Sequence, residues 1–379
     1  MQEEIKAEMV ASEDAQILFD DVPTNRFHIK LTALTFGAHF TEGYSLATIS
    51  IVLTMLAGEL QNDPVWQGLL GSSALMGIFL GSLVFGRLSD RIGRQKIFML
   101  SFIVVAVASL CQFFVTSNVT LFWLRIIIGF GIGGDYAVSV TLLAEFVPRK
   151  TRGMLTGCLC AVWTVGYVTA NVIGFYVAGV GGDAWRWLLA SAAIPAALLL
   201  VGRIGTPESP RWLIRQGRRG EAEAIVERYI GKNVRIEEEP ELPKSGYRAL
   251  FTKRYRKMTL FVSLYWALNV IPYFAVYTFL PTLLGLFGLA EDFTIDLVLN
   301  GTLLAGSIIG TFLTSRITRR QFAIGGFAIS AVGLFTIMLV PLEYRMIIII
   351  AFAIFTMAIS GGSVLDTVFP SECLPTEVR

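Results

Sequence analysis

Glu145-Phe-Val-Pro148-Arg-Lys-Thr-Arg152 returns near the end of the chain as Glu372-Cys-Leu-Pro375-Thr-Glu-Val-Arg379. Each copy sets a proline three residues after a glutamate and an arginine four beyond that, and each closes a long apolar run. A second hydrophilic turn, Gly86-Arg-Leu-Ser-Asp90-Arg91-Ile-Gly93-Arg94-Gln-Lys96, has its counterpart at Ser315-Arg316-Ile317-Thr318-Arg319-Arg320. The basic residues persist there, while serine and threonine replace aspartate and glycine. The interval from Asp90 to Ser315 nearly equals that from Glu145 to Glu372. Agreement of two turns at nearly one interval implies a duplicated structural unit.

The sequence between these turns belongs in lipid. Of 379 residues, 54% are hydrophobic and only 16% charged, against roughly 25% charged in soluble domains, and the mean hydropathy is +0.64. Runs such as 97–115 and 346–359 hold no acidic or basic side chain. A helix crosses a bilayer core with about 20 apolar residues. Ten such stretches lie near 29–56, 66–86, 96–116, 119–144, 154–179, 185–205, 258–285, 294–314, 321–341 and 346–369. They are apolar on all faces and far longer than a tilted barrel strand needs, so the expected fold class is an all-α membrane protein.

With 31 basic and 29 acidic residues, the chain has no whole-chain charge suited to nucleic acid. Its charges are instead placed by loop. Basic clusters follow span two (Arg87, Arg91, Arg94, Lys96), span four (Arg149, Lys150, Arg152), span six and span eight (Arg316, Arg319, Arg320), while the intervening turns are acidic or nearly neutral. The positive-inside rule therefore puts the even-numbered loops in the cytoplasm. Residues 1–27 lean acidic, unlike a secretory signal, and read as a cytoplasmic tail. Residues 28–205 form a first half, and 206–257 a hydrophilic connector with a short amphipathic helix around Ala222 and Val226. Residues 258–379 form a second half. Four cysteines (Cys111, Cys158, Cys160, Cys373) lie in or beside apolar segments and read as buried thiols, without metal or disulfide.

The 86–96 turn strongly resembles the signature after helix two of the major facilitator superfamily. Pro207-Glu208-Ser209-Pro210-Arg211-Trp212-Leu213 looks like the motif after helix six in its sugar-porter, organic-cation and niacin-type members. The runs 125–136 and 269–279 look most like bacterial inner-membrane metabolite transporters. The resemblance implies two six-helix halves about a central cavity and alternating access. It also implies that helices eleven and twelve lie outside these 379 residues. Gating in that scheme falls to Gly86, Asp90, Arg91, Gly93, Arg94, Glu145, Arg152, Glu208, Arg211, Arg316, Glu372 and Arg379. The glycines permit a tight turn, and Asp90 suits a nearby cation or the positive end of a helix.

An ionisable group inside a span is costly unless paired or hydrated, and so marks function. Glu42 lies mid-span with His39 one turn earlier on the same face, and the fourth span carries Arg125 and Asp135. The expected proton-coupling set is Glu42, Arg125, Asp135 and His39. The resemblance implies that Arg125 pairs with an acid on helix one; Ser45 stands at the usual acidic position, and Glu42 three residues before it. Asp135 is ten residues from Arg125, about 15 Å along a helix, and needs a different partner. Asp366, near the inner end of the tenth span, reads as solvated. Trp163, Asn171, Tyr265, Trp266, Asn269, Tyr273 and Tyr277 combine apolar faces with hydrogen-bonding groups and are the expected substrate-binding set. Pro272 interrupts helix seven where bending would help gating. Glycines 129, 131, 133 and 134 allow close helix contact.

The sequence thus points to a secondary active transporter of a small organic metabolite, with a carboxylate among its cargoes, driven inward by protons. A sugar porter or an exporter of the same fold is the alternative, and a non-transporting membrane receptor the alternative from another class. The expected partners are the cargo, protons and the bilayer of a bacterial inner membrane, with the chain as a monomer. No nucleophile, cofactor or nucleotide-phosphate motif points to an enzyme.

Overall fold

The computed structural model describes residues 17–56, 63–236, 247–286, 293–314 and 316–373. Glu372 falls where only the backbone is described, and Ser315 and Arg379 lie outside the described residues.

Each apolar stretch forms a helix. In the first half these are α1 (Arg26–Leu56), α2 (Pro64–Ile92), α3 (Arg94–Cys111), α4 (Asn118–Phe146), α5 (Arg149–Ala178), and the sixth span split at Ala192 into α6 (Ala184–Ser191) and α7 (Ala193–Arg203). The connector holds α8 (Pro210–Arg215) and α9 (Arg219–Tyr229). The second half has α10 (Arg256–Thr278), α11 (Leu280–Leu286), α12 (Phe293–Leu313), α13 (Arg319–Leu339), and a tenth span broken at Ser363 into α14 (Arg345–Gly362) and α15 (Val364–Cys373). Among the described residues nine spans are long and apolar enough to cross a membrane. The first helix is diluted by His39, Glu42 and a series of threonines and serines. Pro272 sits within the continuous helix α10, which ends six residues later.

Helix starts follow the local sequence. The Asp63 carboxylate accepts from the Trp66 amide at 2.8 Å, with Pro64 as the first helical residue. Ser117 accepts from the Thr120 amide at 3.2 Å. Both satisfy amides that a helix terminus leaves without partners.

Large side chains such as Phe79, Leu83, Val107, Trp123, Leu198 and Met338 face outward, as expected where the solvent is lipid and hydrophobicity gives no reason to turn inward. The cysteines belong partly to this surface: Cys111 is exposed and the other three are half-buried, so they are less enclosed than the sequence implies. Association rests instead on close backbone approach. Gly129 of α4 lies against the Ala74 carbonyl of α2, and Gly133 against that of Ile78. Gly81 returns the contact against Phe130, and in the second half Gly306 of α12 meets Met357 of α14 in the same way. The interval from Gly81 to Gly306 equals that from Asp90 to Ser315, and the interval from Phe130 to Met357 equals that from Glu145 to Glu372. The duplicated turns therefore carry with them a duplicated helix contact.

The acidic tail does not end at the membrane. Ile17–Leu18 (β1) pairs in parallel with Val234–Arg235 (β2) of the connector. Phe19 is buried with Phe98, Phe146, Trp212, Val226 and Ile236, binding tail, connector and bundle end into one core.

A side chain at Gly133 must displace the α2 backbone, whereas Gly325 of α13 has no atom within 4 Å of an added Cβ. Gly133→Val should therefore lower the melting temperature in detergent by more than about 5 °C, and Gly325→Val by less than about 2 °C. Equal shifts would remove close packing as the basis of the helix contact.

Candidate functional site

Two polar assemblies stand out, one inside the first half and one at its end. Inside, Glu42 and His39 project from one face of α1, three residues apart, toward α4. His39, Glu42 and Asp135 bring their side-chain nitrogen and oxygen atoms within 4.8 Å of one another, all fully enclosed. The Asp135 carboxylate is paired with Arg203 at 2.9 Å, both side chains at 0% exposure, and accepts from the Ser101 hydroxyl at 3.4 Å. Arg203 lies over the Phe98 and Phe102 rings, 3.4 and 4.1 Å from their centroids, and donates to the Phe98 carbonyl. The His39 Nδ1 is 3.1 Å from the Thr35 carbonyl. A carbonyl only accepts, so Nδ1 carries the hydrogen and Nε2 is the free acceptor. The Glu42 oxygens have no hydrogen-bond donor.

This arrangement corrects one expectation. Arg125 is not the partner of Glu42: it is buried, forms no ion pair among the described residues, and leaves Nε and Nη1 without acceptors. Glu42 lies at the level of Asp135, and ten residues of helix separate that level from Arg125. The partner that Asp135 requires is Arg203, which sequence reasoning did not single out although it lies within the sixth span, 185–205. Its signal was present, since Arg203 is the one cation in the apolar run 188–204.

At the end of the half, Gly93 adopts φ +108°, a conformation that suits glycine, and an added Cβ there would collide with the Glu208 carboxylate. Glu208 accepts from the amides of Arg94 (2.9 Å) and Gln95 (3.2 Å), supplying from the connector the N-terminal cap that Gly93 cannot. Arg94 pairs with Glu145, which also accepts from the Ser209 hydroxyl at 2.5 Å. Asp20 of the tail bridges Arg152 and Arg211, each at 2.6 Å. The clasp therefore unites Gly93, Arg94, Glu145, Arg152, Glu208 and Arg211.

Asp90 does not fill the role expected of it. Its side chain is exposed, and its backbone carbonyl accepts from the Trp212 indole at 2.9 Å. Glu208 takes the helix terminus because the motif after span six reaches it directly. Gly86 is half-buried within α2, accepting from Ser89 through its carbonyl, and Arg91 and Arg316 are exposed.

The expected substrate-binding residues divide. Tyr265, Asn269, Tyr273 and Tyr277 form a buried stripe at four-residue spacing on α10. Tyr273 and Tyr277 meet Trp163 and Tyr167 of α5 across the halves, with centroids 5.8 to 6.5 Å apart. Asn171 is buried, donates to the Tyr167 carbonyl at 3.0 Å and faces the Ser50 hydroxyl at 3.4 Å. Trp266 is instead 46% exposed, with its indole donating to the Asp366 carbonyl at 2.9 Å. Asp366 corrects the sequence reading: it is buried, with its carboxylate held by the Asn269 amide at 2.9 Å.

A helical membrane bundle, duplicated in sequence and contact, with charges sealed in one half and aromatic residues along the seam, is a transporter of the major facilitator fold. Residues 31–379 match the family described as sugar (and other) transporter, and the chain belongs to that family. It is 46% identical over 364 residues to the inner membrane metabolite transport protein YgcS of Escherichia coli (strain K12), covering 96% of this chain and 82% of that one. It is 28% identical over 324 residues to the niacin transporter NiaP of Acinetobacter baylyi, covering 82% and 73%. A solved partially occluded inward open structure of the xylose transporter XylE from E. coli superposes with a TM-score of 0.74 at 19% identity, covering 92% of this chain and 87% of that one. The family transports and is not enzymatic.

Arg203→Met alone strands a buried carboxylate and should cost about 3–5 kcal/mol, whereas adding Asp135→Leu should recover most of the melting temperature. Failure of the double variant to recover would deny that the pair is mutually required. For Asp20, partial burial raises the pKa, but Arg211 and Arg152 outweigh it and hold the carboxyl below its ordinary 3.8. Its stabilisation is then present above that value and lost as pH falls through the lowered one. The melting-temperature gap between wild type and Asp20→Asn should be open at pH 7 and close below about pH 4; a pH-independent gap would contradict this.

Proposed function

We propose that this protein imports a small organic acid together with protons by alternating access, from the bacterial inner membrane, with its tail and clasp in the cytoplasm. The observation that carries the reading is the sealed group of Glu42, Asp135 and Arg203. Two carboxylates facing one guanidinium leave one negative charge uncompensated, and a proton on Glu42 neutralises it. With Asp135 held by Arg203, Glu42 is the carboxyl free to gain and lose that proton, and the His39 Nε2 beside it is the route's next acceptor.

Three features support the finer points. Clustered basic residues border the clasp, as loops on the cytoplasmic side do. Arg125 offers two buried donors in want of an acceptor, which suits an anionic cargo, and niacin, the cargo in the name of one relative, is a carboxylic acid. Trp163, Tyr167, Tyr273 and Tyr277 form an apolar, hydroxyl-bearing wall where the halves meet.

The test is uptake into proteoliposomes, with niacin and D-gluconate as probes, under an inward proton gradient and in counterflow. Glu42→Gln should reduce gradient-driven uptake at least about tenfold while sparing counterflow, since exchange needs no net proton movement. Unchanged gradient-driven uptake would reject Glu42 as the carrier.

A further inference from the structure

Asp366 lies in the second half, on the short helix after the Ser363 break, with 7% of its surface exposed. Its surroundings fix it on one side only. Oδ2 accepts from the Asn269 amide at 2.9 Å, and the same amide donates to the Ser363 hydroxyl at 3.0 Å. The Trp266 indole donates to the Asp366 backbone carbonyl at 2.9 Å, and the Tyr265 hydroxyl to that of Gly362 at 3.1 Å. Three side chains of α10 thus hold this turn of the tenth span in place. The second carboxylate oxygen, Oδ1, is buried and has no hydrogen-bond partner, and no lysine, arginine or histidine among the described residues pairs with Asp366. The helix that carries Asp366, α15, also touches α5 of the first half, so it lies beside the seam where the two halves meet.

Asp135 and Asp366 each leave one buried carboxylate oxygen without a hydrogen-bond partner, but only the charge of Asp135 is answered, by Arg203. Leaving a charged acceptor buried without a donor is costly, and a rigid side chain retains that cost only if a donor arrives from elsewhere. We propose that Asp366, oriented by Asn269 and Ser363, is the cargo contact of the second half, its Oδ1 accepting a hydrogen bond from a hydroxyl or ammonium group of the transported molecule. This rests on the transport reading and narrows it. The cargo carries a hydrogen-bond donor besides any carboxylate, and a molecule with a carboxylate and no such donor leaves Oδ1 empty.

Binding to the purified protein in lipid nanodiscs tests this with D-gluconate and D-glucosamine as donor-bearing probes and niacin as the donor-free one. Asp366→Asn preserves the shape and an oxygen that accepts from Asn269; Asp366→Ala removes both. Both variants should weaken the donor-bearing probes by about tenfold or more and leave niacin within about twofold. Unchanged affinity for the donor-bearing probes in both variants overturns the proposal, as does failure of wild type to bind either of them. Proteoliposome uptake separates the two readings. Binding that depends on Asp366 without any uptake would defeat the transport reading alone; uptake that ignores Asp366 would defeat this site alone.

Discussion

The ion pair of Arg203 with Asp135, both side chains at 0% exposure, is the contact around which the first half is arranged. Arg203 is answered by Asp135, by the Phe98 carbonyl and by two aromatic faces, so that α3, α4 and α7 are fixed to one another at a single point. That point lies at the end of α7, and the chain leaving it reaches Glu208 five residues later. The residue that neutralises the buried acid and the residue that caps α3 are therefore delivered by one short segment. Displacing α7 would disturb the charge balance at Glu42 and the clasp together, which gives a physical link between the occupancy of a buried proton site and the state of a surface network about one helix turn away in sequence.

The duplicated halves use the same contacts between helices and different chemistry at their turns. Gly81 against Phe130 and Gly306 against Met357 are equivalent approaches, and only residues without side-chain bulk allow them. At the turn itself the copies diverge. In the first half Gly93 has no side chain to cap α3, and Glu208 reaches across from the connector to do so. In the second half Thr318 occupies the matching position with φ −67°, and its own hydroxyl accepts from the Gln321 amide at 3.3 Å. A self-capped helix needs no carboxylate from another segment. Degeneration of the second turn is thus the replacement of a long-range cap by a local one, which loosens the dependence of that turn on the connector.

The number, order and limits of the spans were legible because about 20 consecutive apolar residues admit one structure in lipid, and caps such as Asp63-Pro64 and Ser117 mark where they begin. The clasp was legible in part: Arg94, Glu145, Arg152, Glu208 and Arg211 stand in motif positions, whereas Asp20 of the tail carries no such mark. Asp90 and Glu208 both carry the right charge, and only geometry shows which one reaches the α3 terminus. The buried pair was legible by half. A carboxylate at position 135 demands a cation, but Arg203 stands two spans further along the chain, and its position at a span end reads equally well as loop. Asp366 was misread for the same reason, because its partner Asn269 stands three spans earlier and nothing near position 366 announces it. Pairing across elements is a tertiary property, and local periodicity is silent on it.

The halves meet in a manner unlike anything within them. Inside each half, backbones touch at glycines, and in the first half Asp135 is sealed against Arg203, so separation would leave cavities and unanswered polar groups. Across the seam, Trp163 and Tyr167 meet Tyr273 and Tyr277 through tilted and edge-on ring contacts. Such contacts are worth about 0.5–1.5 kcal/mol each beyond the area they cover, and parting them strands no charge. The buried Asn171, Asn269 and Asp366 keep their hydrogen bonds within their own halves. An interface held by ring contacts rather than by ion pairs can slide or open at modest cost, while its two walls remain intact. That division of strong contacts within and weak contacts between is the mechanical requirement for two bodies to rock about a site held at their boundary.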